Sequence, residues 1–326
     1  MPLHGALDGQ SHYAPEYRGG LSSHLPMGLV ALWRLGADDA RLAQFGRSYA
    51  PLLEASPSPP LQDCGAAVNA LAPDVLGQIA AYPRWRDHFL AQLGHQDIAS
   101  VVRAALRYLM PGSGAAAFHG LIRTAFGVDA GHRGEVAAGL AYWAARYLPL
   151  TSELPPAGEL ACERWLAQIE SALRGWRATG GLIFEDMQRI AADPRFGAHL
   201  AGLRVDDQTL GNLARFAARR YSASRDFTAL HLVTSADALG RLLAGSADGL
   251  QAVHWYAVPF AAALATTASP GAVERPLPAL LPWDEIVRRA LRSDDPHVGK
   301  LVYSCRELER VYEGDEFRMA ATVRVN

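Results

Sequence analysis

Residues 294–303 read Asp294-Asp295-Pro296-His297-Val298-Gly299-Lys300-Leu301-Val302-Tyr303, and apolar spacing of helical period continues from there to Tyr312. Asp295 suits a helix N-cap and Pro296 the first helical position, so a helix is predicted over Pro296–Tyr312. On that helix Lys300 lies roughly 60° around from His297 and about 4.5 Å along the axis, so both side chains can face one point. Lys300 is also the single lysine; the other 30 of the 31 Lys and Arg residues are arginine. A guanidinium stays protonated, whereas an amine can become neutral, act as a nucleophile, or add CO2 to become an anionic metal ligand. The positive end of a helix dipole and burial both favour the neutral amine. The competing explanation is compositional, an arginine-rich genome that leaves one surface lysine.

The same helical pattern extends outward from this stretch. Alanine and leucine are abundant, β-branched residues are sparse, and apolar residues recur at i, i+3 and i+4. Helices are predicted over 27–35, 39–49, 85–93, 98–109, 115–126, 135–147, 159–173, 210–221, 226–243, 250–266 and 283–291. Phe317 to Val325 reads as a short strand or an extended tail. No series of alternating strands is present, so the class is all-α. Proline-rich breaks at 51–62, 149–158 and 268–282 read as loops. A single domain spanning 1–326 is preferred over a division at any of them, because the candidate site draws on both ends of the chain.

Composition narrows the function classes. Hydrophobic residues make up 50% and charged residues 20%, enough apolar material for a sizeable core. A net charge of -2 lacks the basic footprint of a nucleic-acid binder. No run of about eighteen apolar residues suggests a membrane span, and residues 1–10 do not resemble a signal peptide. Cys64, Cys162 and Cys305 are odd in number and form no CxxC pair. A reducing, cytoplasmic setting is therefore expected. HExxH and GxSxG are absent. The run Gly112-Ser113-Gly114-Ala115-Ala116-Ala117 has the letters of a dinucleotide fingerprint, but a helix and Pro111 precede it rather than a strand, so it reads as a loop feeding the next helix.

Three further histidines sit in helical, apolar surroundings. His24 follows Ser22-Ser23, either serine a candidate cap, and precedes Leu25-Pro26. His119 shares a stripe with Ala115, Ile122 and Phe126. His231 shares a face with Phe227, Thr234 and Ala238. Each alone fits a core imidazole bonded to a carbonyl or a water. With His297 and Lys300 they suggest a shared metal.

These segments resemble the questin oxidase-like family. The resemblance is carried by Ser23-His24-Leu25-Pro26-Met27-Gly28-Leu29-Val30-Ala31-Leu32 continuing to Leu35-Gly36-Ala37, by Phe118-His119-Gly120-Leu121-Ile122-Arg123, by Leu140-Ala141-Tyr142-Trp143, by His231-Leu232-Val233-Thr234, and by His297 with Lys300. It spans the chain from near residue 20 to near residue 305. It implies oxidation of polycyclic aromatic quinones by ring-opening, Baeyer–Villiger-like or dioxygenase-like chemistry at a mononuclear non-heme iron. It also implies a ligand set of His24, His119, His231, His297 and Lys300 carboxylated by CO2.

Such a set leaves one octahedral position open, which suits Fe(II), with Mn(II), Ni(II) or adventitious Zn(II) as alternatives. A small aromatic substrate and O2 are the implied partners, with NADPH a candidate reductant whose binding residues cannot be read. Phe118, Tyr142, Trp143, Trp255 and Tyr256 are candidate pocket walls or plain core. Arg123 is a candidate partner for a substrate oxyanion or for Glu135, and His254 for pocket lining or acid–base work. Glu135 and Asp295 are candidate acceptors for ligand imidazole N–H groups. A metal-dependent hydrolase or isomerase on the same ligands, and a non-catalytic helical scaffold, are the competing readings.

Overall fold

The computed structural model describes residues 2–56, 75–179, 181–246, 248–267 and 276–326. The first half of the chain carries α1 (Pro2–Asp8), α2 (Leu25–Leu35), α3 (Asp39–Tyr49), α4 (Tyr82–His95), α5 (Ile98–Leu109), α6 (His119–Asp129), α7 (Arg133–Ala145) and α8 (Cys162–Ala172). The second half carries α9 (Ile183–Ala191), α10 (Pro194–Gly197), α11 (Thr209–Ser224), α12 (Phe227–Leu243), α13 (Gly249–Thr266), α14 (Trp283–Arg292), α15 (Pro296–Tyr312) and α16 (Asp315–Val325). A two-stranded antiparallel hairpin, β1 (Glu16–Tyr17) with β2 (Leu21–Ser22), is the sole sheet among the described residues. The class is all-α, as the periodicity predicts.

Local chemistry accounts for several helix starts. Asp38, Asp97, Asp226 and Asp295 each accept a backbone N–H of the helix they precede. α2, α6, α12 and α15 form the frame of the candidate site, with contacts between α2 and α6, α2 and α15, α6 and α12, and α12 and α15. α6 and α7 approach at backbone distance: a Cβ on Gly120 would lie 2.5 Å from the Cα of Trp143. Buried apolar residues from Leu3 and Leu7 through Phe317 and Val323 belong to one core cluster.

Four readings need correction. Phe317 to Val325 is neither strand nor tail but most of α16. Its β-branched residues mislead, whereas Phe317, Ala320 and Ala321 recur at helical spacing and are fully buried. The helix predicted from Ala115 begins instead at His119, because Ala116, Ala117 and Phe118 all take positive φ, at 47°, 53° and 69°. Neither Ser22 nor Ser23 caps α2; His24 itself holds the N-cap position. Three helices, α1, α9 and α10, are absent from the sequence expectation, being short at seven, nine and four residues. The run 112–117 is indeed a turn feeding α6. Residues 57–74 and 268–275, which overlap two of the predicted proline-rich loops, lie outside the described residues, as does Cys64. No helix among those described is long and apolar enough to cross a membrane.

Candidate metal centre

Each of the four histidines is anchored through Nδ1 by an acceptor close in sequence. His24 donates to the Ser22 carbonyl at 2.6 Å, His119 to the Ala116 carbonyl at 2.5 Å, and His231 to the Phe227 carbonyl at 2.8 Å. His297 donates to Asp295 Oδ1 at 2.9 Å. Carbonyl and carboxylate oxygens can only accept, so every Nδ1 carries the proton and every Nε2 of a neutral ring presents a lone pair. The left-handed turn at 116–118 acquires a purpose here, since it folds the Ala116 carbonyl back onto the His119 ring. Non-glycine residues in that region store strain, and such strain collects at functional sites.

The free nitrogens converge. His24 Nε2 lies 3.0 Å from His119 Nε2. Ring centroids of His24 and His297 are 4.3 Å apart, and those of His119 and His231 are 4.8 Å apart. Donor atoms of His24, His231 and His297 all lie within 4.8 Å of one another. With both Nδ1 atoms protonated, His24 and His119 have no proton to share between facing lone pairs. A cation between them resolves the repulsion. Neighbouring corners of an octahedron with bonds of ~2.1 Å are about 3 Å apart, which matches the His24–His119 spacing. Nε2 of His231, Nε2 of His297 and Nζ of Lys300 are buried and find no protein partner among the described residues. Buried polar groups are rarely left so, and these three orphaned donors fit a metal.

Lys300 is fully buried. Burial lowers its pKa to about 7, with Arg324 adding to the effect and Asp295 opposing it. Burial holds His24 and His231 well below the ordinary histidine value, and it takes His119 to about 3. His297 falls to about 4, burial outweighing the pull of Asp295. Charge repulsion from Lys300, three residues after His297 on α15, contributes to all four. At neutral pH the imidazoles are therefore neutral, as ligands must be. All four histidines lie at or near helix N-termini, so the point where they meet carries positive potential that an anionic ligand would offset.

Asp295 serves twice, as cap of α15 and as acceptor for the His297 ring. Burial works against its charge. Bonds from the His297 ring and backbone, together with its ion pair to Arg324, nevertheless hold its pKa at about 2.

The pattern that defines the questin oxidase-like family matches residues 21–221, more than half of the chain. The chain belongs to the questin oxidase-like family. Membership assigns it to the oxidoreductases. A comparison with curated proteins finds no match. The matched stretch contains His24 and His119 but stops short of Lys300 and of His231 and His297, whose rings the fold brings to the first two.

The other residues singled out in this questin oxidase-like chain are distributed around the centre. Tyr142 donates its hydroxyl to Glu16 Oε1 at 2.8 Å and lies 2.7 Å from Ser22 Oγ, so it steadies the residue whose carbonyl holds His24. Burial, then Glu16, push its pKa well up, and the phenol stays protonated. Trp143 donates its indole N–H to the Gly112 carbonyl at 3.1 Å. Of the two partners left open for Arg123, the structure shows Glu135, in a buried bidentate pair at 2.9 and 3.1 Å. Glu135 is thereby committed away from the ligand imidazoles. Phe118 directly precedes His119 and packs edge-to-face on Tyr256 at 5.8 Å. Trp255 borders a separate cavity of about 300 Å³ with Arg103 and Arg107. His254 is buried on α13 and makes no ring contact with the four clustered histidines.

Sequence reading places Phe227 on the face of His231 but not against His297; its ring packs on both. Sequence reading misses Arg324. Arg324 fixes Asp295 from 29 residues away, with no local signal at all.

Proposed function

We propose that this protein is a flavin-independent non-heme iron oxygenase acting on a planar polycyclic aromatic or quinone-like substrate. His24, His119, His231 and His297 would hold the metal through Nε2, with Lys300 as a carbamate. The observation that carries the reading is the clustering of four anchored imidazoles, with a fully buried, unpartnered amine three residues after His297 on α15. Bound there, Fe(II) supplies the ability to activate O2 for insertion into, or cleavage of, an aromatic ring.

The chain's own groups prepare that chemistry. The neutral Lys300 amine attacks CO2, forming an N–C bond and releasing one proton to solvent. The side chain thereby changes from a potential cation to an anion. Helix N-termini and Arg324 favour that change in sign. Asp295 and the carbonyls of Ser22, Ala116 and Phe227 keep each ring in the tautomer and orientation a ligand requires. A metal held by His24, His119, His231, His297 and Lys300 would not be closed off in the manner of tetrahedral structural zinc. Mn(II) or Ni(II) would fit the same donors. A reductant such as NADPH, a cytoplasmic setting and a single functional domain complete the proposal.

Protein purified without oxygen should contain about one iron per chain and consume O2 when a hydroxyanthraquinone is added. Metal-loaded protein that hydrolyses or isomerises a substrate without taking up O2 would reassign the reaction. Metal far below one per chain would leave the histidines as core residues.

A further inference from the structure

Phe227, the first residue of α12, is 50% exposed, an unusual position for a large apolar ring. Its inner edge is not in solvent: the ring centroid lies 4.6 Å from that of His231 and 4.7 Å from that of His297, edge-to-face in both cases. One side chain thus touches two candidate ligands and bulk water at once. His231 is fully buried, while the His297 side chain keeps 17% exposure. The centre is therefore one ring's thickness below the surface on this face. By contrast, the cavities of about 450 Å³ beside Glu16 and Arg146 and of about 500 Å³ beside Arg219 and Met319 have no ligand imidazole in their linings.

We infer that Phe227 forms the entrance to the metal centre and the face on which a planar aromatic substrate stacks. Its carbonyl, not its ring, holds His231 Nδ1, so the side chain can change or move without releasing the ligand. An exposed phenyl offers offset or edge-to-face stacking to a planar aromatic ring, an attraction beyond area burial. In the absence of substrate the same ring shields His231 and His297 from water. Arg225, in the left-handed conformation at φ 56°, and the Asp226 cap set where α12 begins and hence where the ring stands. The substrate class rests on the oxygenase reading above; the entrance itself rests on geometry alone.

The test uses Phe227→Ala and Phe227→Trp, both at a half-exposed position where folding should survive and circular dichroism will verify it. The first arm needs no metal. After chelator treatment, diethyl pyrocarbonate acylation of His231 and His297, mapped by mass spectrometry, should be at least 10-fold faster in Phe227→Ala than in wild type. In Phe227→Trp it should be no faster. The second arm measures binding of anthraquinone-2-sulfonate, expected to weaken about 3- to 10-fold in Phe227→Ala and to recover in Phe227→Trp. The third follows transfer of iron from loaded protein to a chromogenic chelator, expected to speed up in Phe227→Ala at unchanged starting iron content. Equal acylation rates in wild type and Phe227→Ala would overturn the entrance, whatever the metal content. Faster acylation with unchanged quinone binding would overturn the stacking role alone. Wild-type protein that takes up no iron would sink the oxygenase reading while leaving the first arm decisive for the entrance.

Discussion

Lys300→Met separates what the buried amine costs the fold from what it contributes to the metal. Methionine conserves the volume of the aliphatic stem and removes the titrating group. The amine has a folded pKa of about 7 against an ordinary 10.5. Between those values the unfolded chain binds more protons, so metal-free wild type gains stability as pH rises from about 7 towards 10.5. Below about 7 the penalty is complete. At ~1.4 kcal/mol per unit, the penalty is about 4 kcal/mol at pH 7 and about 2 kcal/mol at pH 9. Chelator-treated Lys300→Met should therefore be more stable than treated wild type, by up to these amounts, with the gap shrinking as pH rises. The same variant should retain less than a tenth of wild-type iron. Urea unfolding at pH 7 and 9, and iron analysis of untreated protein, measure the two halves. Full iron content in Lys300→Met would remove Lys300 from the ligand set. Lower metal-free stability at pH 7, with an unchanged pH slope, would refute the buried neutral amine. Lys300→Arg should lose both iron and stability, since a guanidinium can neither shed its proton nor carry CO2.

Asp295→Asn keeps a cap for α15 but removes the charged acceptor of the His297 ring; iron affinity should fall about 10- to 100-fold by competition with a calibrated chelator. Arg123→Met should destabilise the protein by about 3–5 kcal/mol in urea, because Glu135 is left buried and unpaired, and Arg123→Met with Glu135→Leu should recover most of that. Iron content should stay normal in the double variant if the pair is structural. Gly120→Ala forces a Cβ against the Trp143 backbone, so it should cost about 1–3 kcal/mol in thermal unfolding and weaken iron binding through the adjacent His119.

Helices whose ends carry their own chemistry were legible from the amino acids. Asp295-Pro296 announces α15 and Asp97 announces α5, since a cap acts within one turn. The C-terminal α16 was not legible, because its β-branched residues are reconciled with a helix only by burial against neighbours distant in sequence. The start of α6 was misplaced for a similar reason. Alanines at 115–117 favour helix, and a left-handed turn there is held by packing and by the His119 ring bond rather than by local preference. His24, His119, His231, His297 and the lone lysine stood out as metal candidates by apolar helical context and by the resemblance, yet nothing local shows that the four rings meet.

What the amino acids alone determined was the helical class, most helix boundaries, and Asp295 as a cap and a candidate acceptor for a neighbouring imidazole. These depend on backbone periodicity and short-range hydrogen bonds. Tertiary structure alone decided that the rings of residues 24, 119, 231 and 297 cluster, that Arg123 faces Glu135, and that Phe227 packs on the rings of His231 and His297. Those outcomes depend on the crossing of α2, α6, α12 and α15, and helix crossing is set by the fit of side chains far apart along the chain.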